Sequence, residues 1–262
     1  EFLWQEGHTA HATHEEASET QRWAIDMYAS IYREFFAIPG YVGWKSESEK
    51  FAGADRTLTF ESLMPEGKAL QSCTSHDLGQ NFSKTFNVSF QDEGGTSQFV
   101  WQTSWGFSTR SIGGLIMVHG DDGGLVLPPR LAPTQVVIIP IKLEGERLDV
   151  VKKLAQDLKA SGMRVHIDLR EKDSLGSKIN EWELKGVPLR LEIGGKELDA
   201  GTATAVRRDT GEKTSLKLDS LSADAQVLLA AIQSDLLRKA EEFLASHTYT
   251  VDSYDDFKSK LE

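Results

Sequence analysis

Residues 97–131, SQFVWQTSWGFSTRSIGGLIMVHGDDGGLVLPPRL, decide the reading of the fold. They open with alternating large residues, Phe99, Trp101 and Thr103, the period of a half-buried strand. Trp105-Gly106 predicts a sharp break. Ser108 and Thr109 then stand where a helix N-cap belongs, and Ile112, Leu115, Ile116 and His119 recur at helical spacing. Gly113 and Gly114 are poor helix formers and point to a close neighbour. Gly120-Asp121-Asp122-Gly123-Gly124 closes the helix, and Leu125-Val126-Leu127-Pro128-Pro129 runs out of the domain. Arg110 falls in the first helical turn. A guanidinium beside free helix N–H groups, facing a sheet, suits a phosphate, although spacing alone equally allows an arginine on a solvated helix start. Neither the P-loop nor the Rossmann glycine fingerprint is present.

Upstream, residues 1–8 (EFLWQEGH) alternate as a strand with Phe2, Trp4 and Glu6 on one face, and are predicted to turn at Gly7. A carboxylate sharing a face with aromatics needs a partner such as an ammonium group or an arginine, unless the strand is a solvent-facing edge. Thr13-His14-Glu15-Glu16 is a capping-box signature for a helix to Phe36, whose apolar face is Ala17, Trp23, Ile25, Tyr28, Ile31, Tyr32 and Phe35. His8, His11 and His14 lack a nearby carboxylate or cysteine of ligand spacing, so loop and capping roles outweigh a metal. Strands are expected at 56–61, 68–74 and 86–90, with a polar loop over 75–82 and a hairpin at Asp92-Glu93-Gly94-Gly95. Successive strands with short turns and few helices indicate an antiparallel α+β domain.

Beyond Leu131-Ala132-Pro133 the pattern changes to alternating strands (135–141, 164–169, 188–193, 202–208) and helices (147–161, 174–185), a βαβ arrangement with a largely parallel sheet. A helix over 222–245 and a short one capped by Asp252 follow. The reading divides the chain at 1–131, 132–220 and 221–262.

The 262 residues suffice for two domains with real cores. A formal charge of −11 argues against holding nucleic acid by bulk electrostatics, without excluding local contacts. Residues 1–131 carry 9 basic and 17 acidic side chains, and residues 132–262 carry 20 and 23, so the second half is the better polyanion binder. Arg170, Lys178, Arg207 and Arg208 fall at strand ends or a helix start there, where ordinary surface charge is the competing reading. One cysteine, Cys73, excludes an intrachain disulfide and a cysteine-cluster zinc site, and no apolar run reaches a membrane span, so cytoplasm is the default.

The motifs now support a family resemblance. Trp-Gly-Phe-Ser-Thr-Arg (105–110), with the glycine-rich helix and Pro-Pro-Arg after it, resembles motif 3 of prolyl-tRNA synthetases. Phe2-Leu3-Trp4-Gln5-Glu6-Gly7-His8 resembles the second half of class II motif 2. Lys50-Phe51-Ala52-Gly53, Gln71 with Thr74-Ser75-His76, and Gly79-Gln80-Asn81-Phe82-Ser83 resemble that family's archaeal/eukaryotic-like group. Lys178 followed by residues 182–190 (WELKGVPLR) resembles its anticodon-binding domain.

The resemblance implies a partial class II catalytic domain, α+β with an antiparallel sheet, followed by an α/β anticodon-binding domain. It implies ATP-dependent activation of L-proline, with Mg²⁺, and transfer of the prolyl group to tRNA(Pro). Phe2, Gln71, Thr74 and Arg110 would bind ATP, with Arg110 as the catalytic cation on its terminal phosphates. Trp4, Glu6, Phe51, His76, Trp105 and Ser108 would form the proline pocket. Arg170, Lys178, Glu183 and Arg208 would meet the anticodon. No metal-ligating residue set and no protein nucleophile are expected, because positioning and charge neutralisation carry such a reaction. A homodimer is expected of the full-length family member. Motif 1 and the motif 2 arginine would lie upstream of Glu1, so this chain is expected to be a piece of a longer protein with an incomplete adenylation site. A non-catalytic tRNA-binding module and a paralogue serving another amino acid are the alternatives. The retained proline-pocket residues count against the second.

Overall fold

The computed structural model describes residues 3–261. The chain divides into two compact units: residues up to Glu34 with Ile38–Val118 and the segment from Ala240 on, and Phe35–Ala37 with His119–Lys239.

The first unit runs β1 (Trp4–His11), α1 (His14–Ile31), β2 (Tyr41–Trp44), β3 (Arg56–Leu63), β4 (Ala69–Gly79), α2 (Asn81–Phe86), β5 (Ser89–Gln91), β6 (Ser97–Phe99), β7 (Trp101–Ser108) and α3 (Arg110–His119). Five strands form an antiparallel sheet in the order β1-β7-β4-β3-β2, and β5 and β6 make a separate hairpin. Side chains alternate across a strand, so the register assigns each residue to a face. One face carries Phe107, Cys73 and Phe60 in register, and α1 packs on it. The helix starts at a Thr13–Glu16 capping box and buries Ala17, Gln21, Ala24, Ile25 and Tyr28. Gln21 is polar but satisfied: its Nε2 donates to the Ser75 carbonyl at 3.1 Å, and Ser75 Oγ donates to its carbonyl at 2.8 Å. Tyr28 stacks on Phe107 at 5.6 Å, and Tyr32 contacts both Phe60 and Phe107.

Several local expectations are corrected. β7 runs unbroken through Trp105-Gly106, and β1 runs through Gly7, because each is paired along its length. Gly7 is required by packing: a Cβ there would lie 2.1 Å from Cε2 of Trp105. The polar stretch 75–79 is not loop but the continuation of central strand β4, where Ser75, His76 and Asp77 all find partners. Residues 81–86 are helical, where a loop to 82 and a strand from 86 are expected, and β2 is not among the expected strands. Trp23 and Phe35 are exposed, and Trp23 meets Trp105 edge-on at 6.0 Å.

The second unit contains β8 (Val136–Ile141), α4 (Gly145–Ala160), β9 (Val165–Ile167), α5 (Leu175–Leu184), β10 (Leu189–Gly194), α6 (Gly195–Asp199), β11 (Thr202–Arg207), β12 (Lys213–Lys217) and most of α7 (Leu221–Ser246). Alternation along β8 builds two cores. Val136 and Ile138 pack with Val151, Ala155 and Leu158 of α4 and with Ala225 and Leu229 of α7, while Val137 and Ile139 pack with Ile179 and Trp182 of α5. The sheet, ordered β12-β11-β10-β8-β9, is parallel only where β8 pairs with β9 and β10. The five-residue α6 is too short for a crossover, so β11 and then β12 return antiparallel, which corrects the largely parallel expectation. The chain ends with α8 (Tyr254–Leu261), where Ser253 Oγ, not Asp252, accepts from the Asp256 amide at 3.1 Å. Among the described residues no helix is long and apolar enough to cross a membrane.

Two glycines separate packing from propensity. Gly7→Ala is expected to lower stability by roughly 1–3 kcal/mol through displacement of Trp105. Gly113→Ala, with nothing within 4 Å of its Cβ, should raise it by about 0.5–1 kcal/mol. Denaturant unfolding followed by tryptophan fluorescence checks both, and a neutral Gly7→Ala contradicts the packing account.

Candidate active site

The sheet face opposite α1 gathers most of the residues singled out in the sequence. Register places Trp4 opposite Ser108, and Glu6 opposite Gly106, which in turn faces Thr74. Ser104 pairs with His76, and His76 with Thr57. Gln71 follows a bulge opposite Glu61. Trp4, Glu6, Ser108, Thr74, His76 and Gln71 therefore share one surface. Phe51 joins them from the loop before β3, its ring 5.0 Å from His76.

Thr57 is the organiser that sequence reading missed. Its Oγ1 accepts the Phe51 amide at 3.2 Å and lies 2.9 Å from His76 Nδ1. Thr74 Oγ1 lies 3.1 Å from His76 Nε2, so both ring nitrogens are held. The only sequence signal was alternation in Arg56-Thr57-Leu58-Thr59, which marks a face but not a role. Burial pushes the His76 imidazole down to about 4, so it is uncharged at neutral pH. A sheet face that presents a neutral imidazole and a phenyl ring, with the Glu6 carboxylate beside them, suits a small apolar group bearing a cation.

Arg110 opens α3 at the other end of this face. Its amide donates to Ser108 Oγ at 3.3 Å, and its exposed guanidinium reaches the Gln71 carbonyl at 3.2 Å. The side chains of Gln71 and Thr74 and the guanidinium form a donor set that fits nucleotide phosphates. Among the described residues no three His, Cys, Asp or Glu side chains converge on a metal position. A divalent cation would instead arrive on the nucleotide's phosphates, as Mg²⁺ commonly does.

Trp105 is not with the others: strand alternation sends it to the α1 face, beside Gly7 and Trp23. Phe2 lies outside the described residues. The three early histidines diverge, His8 toward Glu6 at 3.4 Å, His11 toward Thr9 at 2.7 Å and His14 toward Asp77 at 2.6 Å. Cys73 also faces α1, and burial raises its thiol to about 12, which leaves it unreactive.

In the second unit, α5 collects the other candidates around Asp168, whose carboxylate is fully buried. Arg170 donates to both Asp168 oxygens, at 3.0 and 2.6 Å, and also to Glu181. Lys178, buried as well, lies 3.6 Å from Asp168 Oδ1, and Trp182 Nε1 donates to Oδ2 at 2.8 Å. These donors, Arg170 foremost, hold the Asp168 carboxyl far below the usual carboxylate range. Arg208 donates to the Glu183 carbonyl at 3.0 Å and to Asp121 at 2.8 Å, and Glu183 accepts from Arg190 at 3.0 Å. Lys178 and Arg208 are thus committed internally. Arg170 and Glu183 keep about 40% of their side chains exposed.

Known proteins place this geometry. The tRNA synthetase class II core domain family (G, H, P, S and T) matches residues 1–119, and the anticodon binding domain family matches residues 135–227. Proline–tRNA ligase of Porphyromonas gingivalis is 51% identical over all of this chain and 54% of its own length. Those of Chlorobium phaeovibrioides and Rubrobacter xylanophilus are 50% and 49% identical over the whole chain and 55% and 56% of theirs. The chain belongs to the proline–tRNA ligase family. It spans about half the length of the curated relatives it matches. The α+β sheet of the first unit is the class II core of that family, and the mixed sheet of the second is its anticodon-binding domain. Class II synthetases generally use ATP and Mg²⁺, which matches the donor set at Arg110.

Two outcomes test these sites. His76 titrates near pH 4 folded and near 6.5 unfolded. Between those values the unfolded chain binds the additional proton, so stability falls as pH drops from about 6.5 to about 4. His76→Gln should flatten that slope in urea titrations, and an unchanged slope contradicts the assignment. Asp168→Ala strands the buried Lys178 charge and should cost roughly 3 kcal/mol or more, measured by the same unfolding.

Proposed function

We propose that this chain is the part of a proline–tRNA ligase that holds L-proline, the nucleotide and the anticodon, within an enzyme that activates proline with ATP and charges tRNA(Pro). The carrying observation is the shared sheet face, with Glu6, Phe51 and the neutral His76 at one place and Gln71, Thr74 and Arg110 at another. Trp4, Phe51 and His76 would enclose the pyrrolidine ring, and Glu6 would take its secondary ammonium. A protonated imidazole at position 76 would repel that ammonium, so burial of His76 serves the binding. Ser108 would supply a polar contact where β7 meets α3.

Activation joins a carboxylate oxygen of proline to the α-phosphorus of ATP and releases pyrophosphate. The terminal ribose hydroxyl of the tRNA then attacks the activated carbonyl and AMP leaves. Both steps need positioning and charge neutralisation, which Arg110 and nucleotide-borne Mg²⁺ would supply. No protein nucleophile is needed, in keeping with the unreactive Cys73. Phe2 would stack on adenine, as the resemblance implies. Residues 132–220 would read the anticodon. Lys178, Arg208 and Arg170 all pair with internal carboxylates, so the half-exposed Arg170 and Glu183 would meet base edges only through what that pairing leaves open, with little bulk attraction for phosphate. The enzyme would act in the cytoplasm as a homodimer.

Proline-dependent ATP–pyrophosphate exchange by the full-length protein tests this reading. Exchange is expected with proline and not with alanine. Glu6→Gln should lower kcat/KM for proline roughly 10- to 100-fold, the cost of losing a charged hydrogen bond. Exchange that ignores proline would overturn it.

A further inference from the structure

Beyond the pocket, aromatic rings continue outward in a row. Phe51, 5.0 Å from His76, also lies 6.5 Å from Phe82. Phe82 lies 6.5 Å from Phe86, four residues on in α2, with the two planes only 8° apart. The row ends in water, Phe86 being 71% exposed, and Val88 beside it in sequence is exposed too. It is also held in place. A Cβ at Gly53 would fall 2.7 Å from Phe82 Cζ, and Asn81 donates to the Gly53 carbonyl at 3.0 Å and to Asp55 at 2.8 Å. Packing of the unit's core does not account for a fixed row of exposed rings.

Charge narrows what it meets. In a half-chain with 17 acidic and 9 basic residues, no Asp or Glu occurs between Asp77 and Asp92. The one charge in that interval is Lys84, exposed on α2 between the two phenylalanines in sequence. Flat ring faces, a cation and a segment that carries no carboxylate of its own are features on which single-stranded nucleic acid stacks, and the neighbouring Asp55 carboxylate is taken up by Asn81.

We propose that Phe82 and Phe86 form a stacking shelf for the unpaired nucleotides at the 3′ end of the tRNA acceptor arm. The proposal rests on the function above and extends it. The terminal ribose must reach the proline carbonyl, and the row starts at the pocket that would hold it. A second copy of this chain or another protein would not call for a row of rings that starts at the amino-acid site.

Two readouts in the full-length protein separate the shelf from the amino-acid site. Pyrophosphate exchange reports activation alone, and charging of tRNA reports delivery of the acceptor end. Phe86→Ala should leave exchange within about twofold and lower kcat/KM for tRNA roughly tenfold, the cost of one stacked base. Phe86→Trp should restore charging. A third measurement does not depend on activation: removing the 3′ overhang from an acceptor hairpin RNA should weaken its binding to the unsubstituted protein but not to Phe86→Ala. Absent exchange would overturn the proline reading, while the hairpin comparison would still decide the shelf. Normal charging by Phe86→Ala, or an overhang effect equal in both proteins, would overturn the shelf. So would a Phe86→Ala change confined to sedimentation, which would mark a protein–protein contact instead.

Discussion

The register of β7 between β1 and β4 is the constraint on which the first unit depends. Strand side chains alternate, so one register sends Phe107 and Trp105 to α1 while Ser104, Gly106 and Ser108 go to the open face. A slip of one residue would bring the tryptophan and phenylalanine into the pocket and push serines into the core. The register is held twice, by backbone pairing on both sides and by Trp105 occupying the space over Gly7. Gly106, between Glu6 and Thr74, leaves the open face free of bulk where the two halves of the site adjoin.

Electrostatics give the two units different characters. On the sheet of the first unit a half-buried, neutral histidine is held by two threonine hydroxyls while a carboxylate and a guanidinium stay accessible. In the anticodon-binding domain the cations are tied to carboxylates, Arg170 and Lys178 to Asp168, Arg207 to Asp209 and Asp235, and Arg208 to Asp121. Such an arrangement offers shape and hydrogen-bond direction more than attraction. It agrees with a chain whose net charge is −11.

Much of this was legible in the sequence, for physical reasons that also explain the gaps. The α1 capping box, the α3 start at Ser108–Arg110 and the βαβ run after Gln135 follow local rules of capping and periodicity, and the structure contains them. Beyond residue 74 the polar sequence of central strand β4 reads as loop, because its polar residues are satisfied by partners distant in sequence, such as Gln21, His14 and Thr57. The expected break at Gly106 and turn at Gly7 fail for a related reason. These glycines answer to packing and close approach rather than to chain reversal. The motif groups Trp105 with the expected proline site, but alternation within the continuous strand carries it to the other face. Thr57 and Asp168, the groups that hold His76 and Arg170, have no motif, and their roles become visible only when strands are brought together.

The most direct measurement is a crystal structure of the full-length protein bound to a sulfamoyl analogue of prolyl-adenylate. The account predicts the pyrrolidine ring against Phe51 and His76, its nitrogen on Glu6, and the nucleotide over Gln71, Thr74 and Arg110, all on the face away from α1. A ligand seated at Trp105, or one that leaves the His76 face empty, would contradict it.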